Sequence, residues 1–269
     1  MTAREAEVYV LLSPHPDDAV FSAWHVLTAP RGVRVVTVFA GVPDPGFVTI
    51  LDRERGASDS AAIFRRRLVE DRDALAVAGR LPAQAPLLEA SYRAQAFPRI
   101  AQALESDRPS FIRIIGREPE LRLEPEELGR SLDGLADGDV VYAPAGIGGH
   151  ADHRDVARYA VSRLAGDRGR VRLYADFPYV VRHGPPSFLG RGDNPSADAA
   201  VTDAFAVLGL RAAEHTPHVV RLDDEQLEAK FEAARRYRTE FDLVDADFGG
   251  VLSDPEAMRV EVYWALGED

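Results

Sequence analysis

A chain of 269 residues, 46% hydrophobic and 28% charged, has the balance of an ordinary globular protein and enough apolar content for a large core. Its formal net charge of −12 argues against nucleic acid or an anionic membrane as the main partner, and its lack of cysteine excludes disulfides, thiolate nucleophiles and cysteine-based zinc sites. Any metal must be held by histidine and carboxylate, a donor set that suits a catalytic rather than a structural zinc site.

Residues 1–7 are charged and carry no signal-peptide core, and no apolar run approaches the length of a membrane span, so the expected location is cytoplasmic. Residues 8–12 form a near-continuous apolar run, the pattern of a strand buried on both faces of a parallel sheet. Directly after it stands Ser13-Pro14-His15-Pro16-Asp17-Asp18-Ala19, with a histidine and two carboxylates inside four positions. The strand's C-terminal tip is the edge where open α/β sheets bind ligands. Apolar spacing predicts a helix over 18–27, stopped by Pro30 and Gly32, and a second buried strand over 33–39. The crossover between the two strands is expected to be right-handed.

Residues 41–46, with two prolines, read as a loop at the same sheet edge. Helices are predicted over 64–79, with Gly79 as the stop, and over 94–104. Residues 111–115 are compatible with a strand, and 125–132 with a short helix beginning on proline. Asp137-Gly138 is a turn signal before a buried strand over 139–143. The second cluster follows, Gly148-Gly149-His150-Ala151-Asp152-His153, opening a helix over 152–164. A further strand is predicted over 171–177 and a mobile loop near the site over 183–199. An amphipathic helix is expected over 225–241, and the alternation of 259–266 marks a final strand open to antiparallel pairing. No repeat or linker interrupts the chain, so the expectation is one α/β domain, 1–269, with a mostly parallel sheet flanked by helices.

His15 and Asp18 are three apart, as are His150 and His153, which puts each pair on one face if it lies in a first helical turn. Three such groups can hold zinc and leave a position open for water, and one carboxylate and one histidine remain for proton transfer and oxyanion stabilisation. Taken singly, Asp17, Asp18 and Asp152 each fit a helix N-cap, and a lone histidine at a loop end fits a structural role. Two compact His/Asp clusters, each after a buried strand, favour the metal. Of the other histidines, His25 reads as packing within the first helix, His183 as a loop residue within possible reach of substrate, and His215 and His218 as a turn or a second metal pair. Ser13 has no Gly-x-Ser-x-Gly elbow, and Gly146-x-Gly148-Gly149 lacks the Walker lysine.

His15-Pro16-Asp17-Asp18 together with Gly149-His150-x-Asp152-His153 resembles the LmbE-like, or PIG-L, deacetylases, zinc enzymes that remove acetyl groups from N-acetylglucosaminyl compounds. Arg67-x-x-Glu70-x-x-x-Ala74 with Gly79, the aromatic-proline stretch 174–178, and Lys230-x-x-x-Ala234-x-x-Tyr237 extend the resemblance over most of the chain. It implies a Rossmann-like fold, with His15, Asp18 and His153 as zinc ligands and Asp17 as general base. His150 is implied as oxyanion stabiliser or proton donor to the leaving amine, and Asp152 as the carboxylate that orients a histidine. Arg67 is a candidate for substrate recognition, or else for a helix-surface salt bridge with Glu70 or Asp71. Where the family usually has Glu after the two aspartates, this chain has Ala19, which puts the substrate class in question more than the metal.

The expected activity is zinc-dependent removal of an N-acetyl group from an N-acetylglucosamine-containing or related aminosugar compound. The alternatives are a zinc amidase acting on a larger amide, such as a thiol conjugate or acylated natural product, and a sugar-binding relative without hydrolysis. Fe2+ or another divalent ion would suit the same donors. The expected partner is a small N-acylated sugar or sugar conjugate, with a homo-oligomer left open.

Overall fold

The computed structural model describes residues 8–104, 115, 118–132, 138–164, 166–190 and 192–267. Among these residues seven strands form one sheet: β1 (Tyr9–Ser13), β2 (Val33–Thr37), β3 (Pro82–Gln84), β4 (Val140–Pro144), β5 (Val171–Tyr174), β6 (Pro217–Arg221) and β7 (Val260–Ala265). Their order is β3-β2-β1-β4-β5-β7-β6. The first five are parallel, and β7 then pairs antiparallel with both β5 and β6. Leu11 sits in register between Val35 and Tyr142, which makes β1 the centre of the parallel part. From β1 the chain builds outward to β2 and β3, then returns to lay β4 on the other side. That reversal opens a crevice at the strand C-termini between β1 and β4, the position where sheets of this kind bind ligands. Both His/Asp clusters lie there.

Helices cover the sheet: α1 (Asp18–Ser22), α2 (Trp24–Leu27), α3 (Ile50–Glu54), α4 (Ser60–Val77), α5 (Ala90–Arg93), α6 (Pro98–Leu104), α7 (Pro125–Ser131), α8 (Ala151–Arg163), α9 (Pro195–Val207), α10 (Asp224–Ala234), α11 (Phe241–Asp247) and α12 (Pro255–Met258). Among the described residues no helix is long and apolar enough to cross a membrane. Trp24, Phe39, Phe64, Tyr174, Phe205 and Trp264 are fully buried, with Leu11 and Leu12 between them. Each such side chain contributes about 1.5–3 kcal/mol of transfer free energy.

Three predicted helices are interrupted by tertiary contacts or by proline. The helix expected over 18–27 breaks at Ala23 (φ −143°, ψ 41°) into α1 and α2. The cause comes from 236 residues away: the Glu261 carboxylate accepts the N–H groups of Trp24 and His25, both at 2.8 Å, and so starts a new helix there. Lys230 Nζ lies 2.7 Å from the same carboxylate, and His25 Nδ1 also 2.7 Å. The helix expected over 94–104 starts earlier, at Ala90, tightens into a 3-10 turn at Ala94–Ala96, and restarts on Pro98, which has no N–H to give to the preceding turn. The helix expected over 225–241 stops at Ala234, because Thr239 is drawn to Glu70 through N–H and Oγ1 at 3.1 and 2.6 Å.

Other departures are smaller. Asp59 caps α4 by accepting from Ala62 N–H, so that helix begins four residues before its expected start. Strands β3 and β6 were not expected. His218 lies within β6 and stacks on Tyr263 of β7 at 4.8 Å, and His215 sits against Phe205, so the two form neither a plain turn nor a second metal pair. Within 183–199 the described residues form turns followed by α9, capped by Asn194, and none of them lines the metal cleft. Of the predicted strand 111–115, residues 111–114 lie outside the described residues.

Candidate metal centre

The chain leaves β1 through Ser13, whose Oγ donates to the His15 carbonyl (2.8 Å) and accepts from Ala19 N–H (3.0 Å). That hydroxyl is a clamp on the turn, and the turn delivers His15, Asp17 and Asp18 to the crevice. Asp17 takes the N-cap position of α1 but makes no side-chain cap bond. Its φ of 112° is the only positive one at a non-glycine position among the described residues. Such a backbone is costly, and it leaves the carboxylate facing the cleft. Ala19 is buried in the core and does not line the cleft.

From β4 the chain passes through a glycine loop into α8. A Cβ on Gly148 (φ +88°) would stand 2.5 Å from the Tyr179 ring, so only glycine lets that ring approach. Tyr179 in turn packs edge-on against His153 at 5.7 Å. His150 is the N-cap of α8: its Nδ1 accepts from Asp152 N–H at 3.2 Å. The N-cap position that Asp152 taken singly would fit thus falls to His150, and Asp152 turns inward, fully buried.

Asp152 Oδ2 is 2.8 Å from His15 Nε2 and accepts Ala90 N–H at 3.0 Å, while Arg93 donates to Oδ1 at 2.8 Å. Asp176 Oδ1 is 2.6 Å from His153 Nδ1, and its Oδ2 accepts Ile147 N–H at 2.8 Å. Each carboxylate fixes the proton of its histidine on the side away from the cleft. The lone pairs of His15 Nδ1 and His153 Nε2 then face each other at 3.2 Å. Asp18 Oδ2 lies 3.4 Å from the first and 3.3 Å from the second.

Three acceptors in mutual contact repel unless a cation or a proton lies among them: against the lowering effect of burial, Asp152 and Asp18 raise His15 well above the usual imidazole value, and Asp18 and Asp176 raise His153. Zinc bonds of 2.0–2.1 Å at tetrahedral angles would separate the donors by about 3.3 Å. The donor set and its spacing therefore fit a divalent ion. Ligand atoms of His15, His150 and His153 also lie within 4.8 Å of one another. His150 is the poorer third ligand, because its Nδ1 accepts a backbone N–H. The proton of the neutral ring is then on Nε2, which makes that nitrogen a donor and not a ligand.

Electrostatics follow the same geometry. Burial pushes the Asp18 carboxyl up, but His153 and His15 overcome it and hold it at about 2. Burial, with Asp18 and Glu240 nearby, raises Asp17 well above the usual carboxylate range. Burial and the neighbouring His15 hold His150 well below the usual imidazole value.

Arg67, on α4, lines the same cleft, but it is buried and not on the helix surface. Its Nη1 donates to Glu89 at 2.6 Å and its Nε lies 2.6 Å from Glu240, so neither Glu70 nor Asp71 is its partner. Glu240 also holds Arg55, which pairs with Asp52, each at 2.8 Å. Asp176, Glu89, Arg55 and Glu240 escaped the sequence reading. Asp176 had a signal, since it follows β5 at the edge where His15 follows β1 and His150 follows β4. Glu240 had none, because the helix break that aims it depends on Glu70.

A mostly parallel α/β sheet with histidine–carboxylate pairs at its switch point defines the class: a Rossmann-like protein with a candidate catalytic metal centre. No protein-family model matches the chain, and no curated protein sequence matches it. Solved structures share the fold along nearly its whole length. A deacetylase from the biosynthesis pathway of teicoplanin, in its bog complex, is 23% identical with a TM-score of 0.64, covering 96% of both chains. The zinc-inhibited form of teicoplanin deacetylase Orf2 is 21% identical with a TM-score of 0.63, over 96% of this chain and 97% of that one. The A40926 pseudoaglycone deacetylase Dbv21 is 21% identical with a TM-score of 0.60, over 98% of this chain and all of that one. At these identities the likeness establishes a common fold.

Proposed function

We propose that the protein is a metal-dependent N-deacetylase that hydrolyses the acetamide of an N-acetylglucosamine-containing or related aminosugar compound. The observation that carries this reading is the trio His15 Nδ1, Asp18 Oδ2 and His153 Nε2, mutually 3.2–3.4 Å apart, at the sheet's switch point with Asp17 and His150 beside it. Those three residues would hold the ion, zinc in this reading, with Fe2+ compatible with the same donors. When bound, the ion supplies Lewis acidity to the amide carbonyl and brings the pKa of its water to roughly 7.

The remaining work falls to the chain's own residues. Asp17 has no capping bond and faces the cleft, so its carboxylate can accept the proton of the attacking water. Burial raises its pKa toward the range a base needs at neutral pH. His150 Nε2–H donates to the oxygen that gains charge as the carbonyl is attacked. The C–N bond then breaks, the proton taken by Asp17 passes to the amine, and acetate and a free aminosugar leave. Asp152 and Asp176 keep His15 and His153 in the required tautomers, and Arg67 would meet polar groups of the sugar at the far wall.

A second reading, a deacylase of a larger acylated natural product, is favoured by the solved neighbours, which include a deacetylase of teicoplanin biosynthesis and the A40926 pseudoaglycone deacetylase. The first experiment is metal content per chain in wild type and Asp18→Ala, followed by acid release from N-acylated glucosaminyl compounds. Near-stoichiometric zinc in wild type and little in the variant is expected. Wild type that takes up no metal when zinc is supplied refutes the proposal. Asp17→Asn should keep the metal and lose about 100-fold or more in turnover, and unchanged turnover would remove Asp17 from the mechanism.

A further inference from the structure

A second cavity lies behind the turn that walls the metal cleft. The segment around Tyr179–Val181 divides the two spaces: Pro178, Tyr179 and Arg182 face the cleft, Val180 and Val181 face the cavity behind it, and Phe177 lines both. The rear cavity measures about 170 Å³, close to the roughly 150 Å³ of an apolar cavity that stays dry and takes up benzene. Its walls are hydrocarbon from Ala175, Leu189, Val251, Ala257, Val260 and Val262.

The polar groups at its inner end are already committed. Ser22 Oγ accepts Phe177 N–H at 3.0 Å, and the Glu261 carboxylate is taken by Trp24, His25 and Lys230. The carboxylate is fully used, the Ser22 hydroxyl keeps only its O–H to give, and a void whose walls are otherwise apolar favours hydrocarbon over water. The rim is different: Arg221, Asp254 and Glu256 are exposed there, with charges of both signs. A charged head group of either sign would meet a like charge, whereas a hydroxyl would suit both.

We propose that the rear cavity is a binding site for a single alkyl chain with an uncharged polar head. Two sources share this chemistry. A free amphiphile would enter past the rim, and the acyl chain of a substrate would enter past Phe177, which alone among the described residues lines both spaces. Only the second source rests on the deacylase reading. Either occupant bears on the partition that seats Tyr179 against His153.

The test uses the full chain and 1-alkanols from hexanol to decanol, followed by displacement of N-phenyl-1-naphthylamine, with metal chelated and with zinc supplied. Saturable binding is expected, tightening about fourfold per added methylene. Ala257→Phe and Val260→Phe fill the cavity from different walls, and each should weaken decanol by about tenfold or more without lowering the unfolding midpoint. No saturable binding in wild type, or wild-type binding in both folded variants, overturns the proposal.

Hydrolysis of N-acylglucosamines from acetyl to decanoyl separates the sources. A kcat/KM that rises with chain length, and loses that rise in Ala257→Phe, assigns the cavity to the substrate's chain. A flat profile with decanol still bound assigns it to a free amphiphile. Decanol binding without hydrolysis of any acyl compound leaves the cavity proposal standing and refutes the deacylase reading instead.

Discussion

Asp176→Asn tests the metal centre without touching a ligand. The wild-type carboxylate accepts on both sides, from His153 Nδ1–H at 2.6 Å and from Ile147 N–H at 2.8 Å, and it is fully buried. Asparagine has one oxygen and one NH2, so it can serve one of the two donors. With its oxygen toward His153, the NH2 confronts Ile147 N–H, and a buried donor goes unpaired at a cost of about 1–3 kcal/mol. With its oxygen toward Ile147, the NH2 can bond only a bare Nδ1, which moves the ring proton to Nε2 and removes the lone pair that faces Asp18 and His15. The first arrangement costs stability, and the second costs metal affinity by about 10–100-fold, the usual effect of losing such a partner. Zinc affinity by chelator competition and urea unfolding of the metal-free protein measure the two together. A variant with wild-type affinity and wild-type stability would refute the claim that Asp176 sets the His153 tautomer.

Other consequences follow from groups outside the ligand set. Glu261→Gln should destabilise the protein by about 3–5 kcal/mol in urea unfolding, because it leaves Lys230 buried without its partner and weakens the start of α2. Burial raises the Glu261 carboxyl, but Lys230 and His25 overcome it and bring it from 4.5 to about 2. The folded state thus releases this proton more readily than the unfolded state. The resulting stability, about 3 kcal/mol, is fully present above pH 4.5 and is lost as pH falls toward 2; unfolding curves in that window should be less steep with pH for Glu261→Gln, and identical slopes would remove the effect. Gly148→Ala places a Cβ 2.5 Å from Tyr179 at φ +88°, and should cost about 2 kcal/mol in thermal or urea unfolding. An unshifted midpoint would show that the loop relaxes freely.

The two His/Asp clusters were legible because local rules placed them. Continuous apolar runs mark β1 and β4 as buried parallel strands, and a parallel strand carries whatever follows it to one edge of the sheet. His15, Asp17, Asp18, His150, Asp152 and His153 therefore reach the same edge whatever else the fold does, and the structure brings all six to the crevice. Asp176 obeys the same rule and was within reach of it.

What local pattern could not supply is everything that depends on a partner remote in the chain. Periodicity predicted α1 and α2 as one helix, since nothing in residues 18–27 foretells that Glu261 will accept two of their N–H groups. Arg67 looked equally suited to the helix surface and to the cleft, and the fold decided by burying it between Glu89 and Glu240. Which nitrogen of each histidine offers its lone pair was also decided only in three dimensions. Asp152 claims His15 Nε2, Asp176 claims His153 Nδ1, and the N–H of Asp152 claims His150 Nδ1. Residue types and their order along the strands determined which groups would meet at the crevice. Tertiary hydrogen bonds, which join residues up to 237 positions apart and have no periodicity to betray them, decided what each group can do once there.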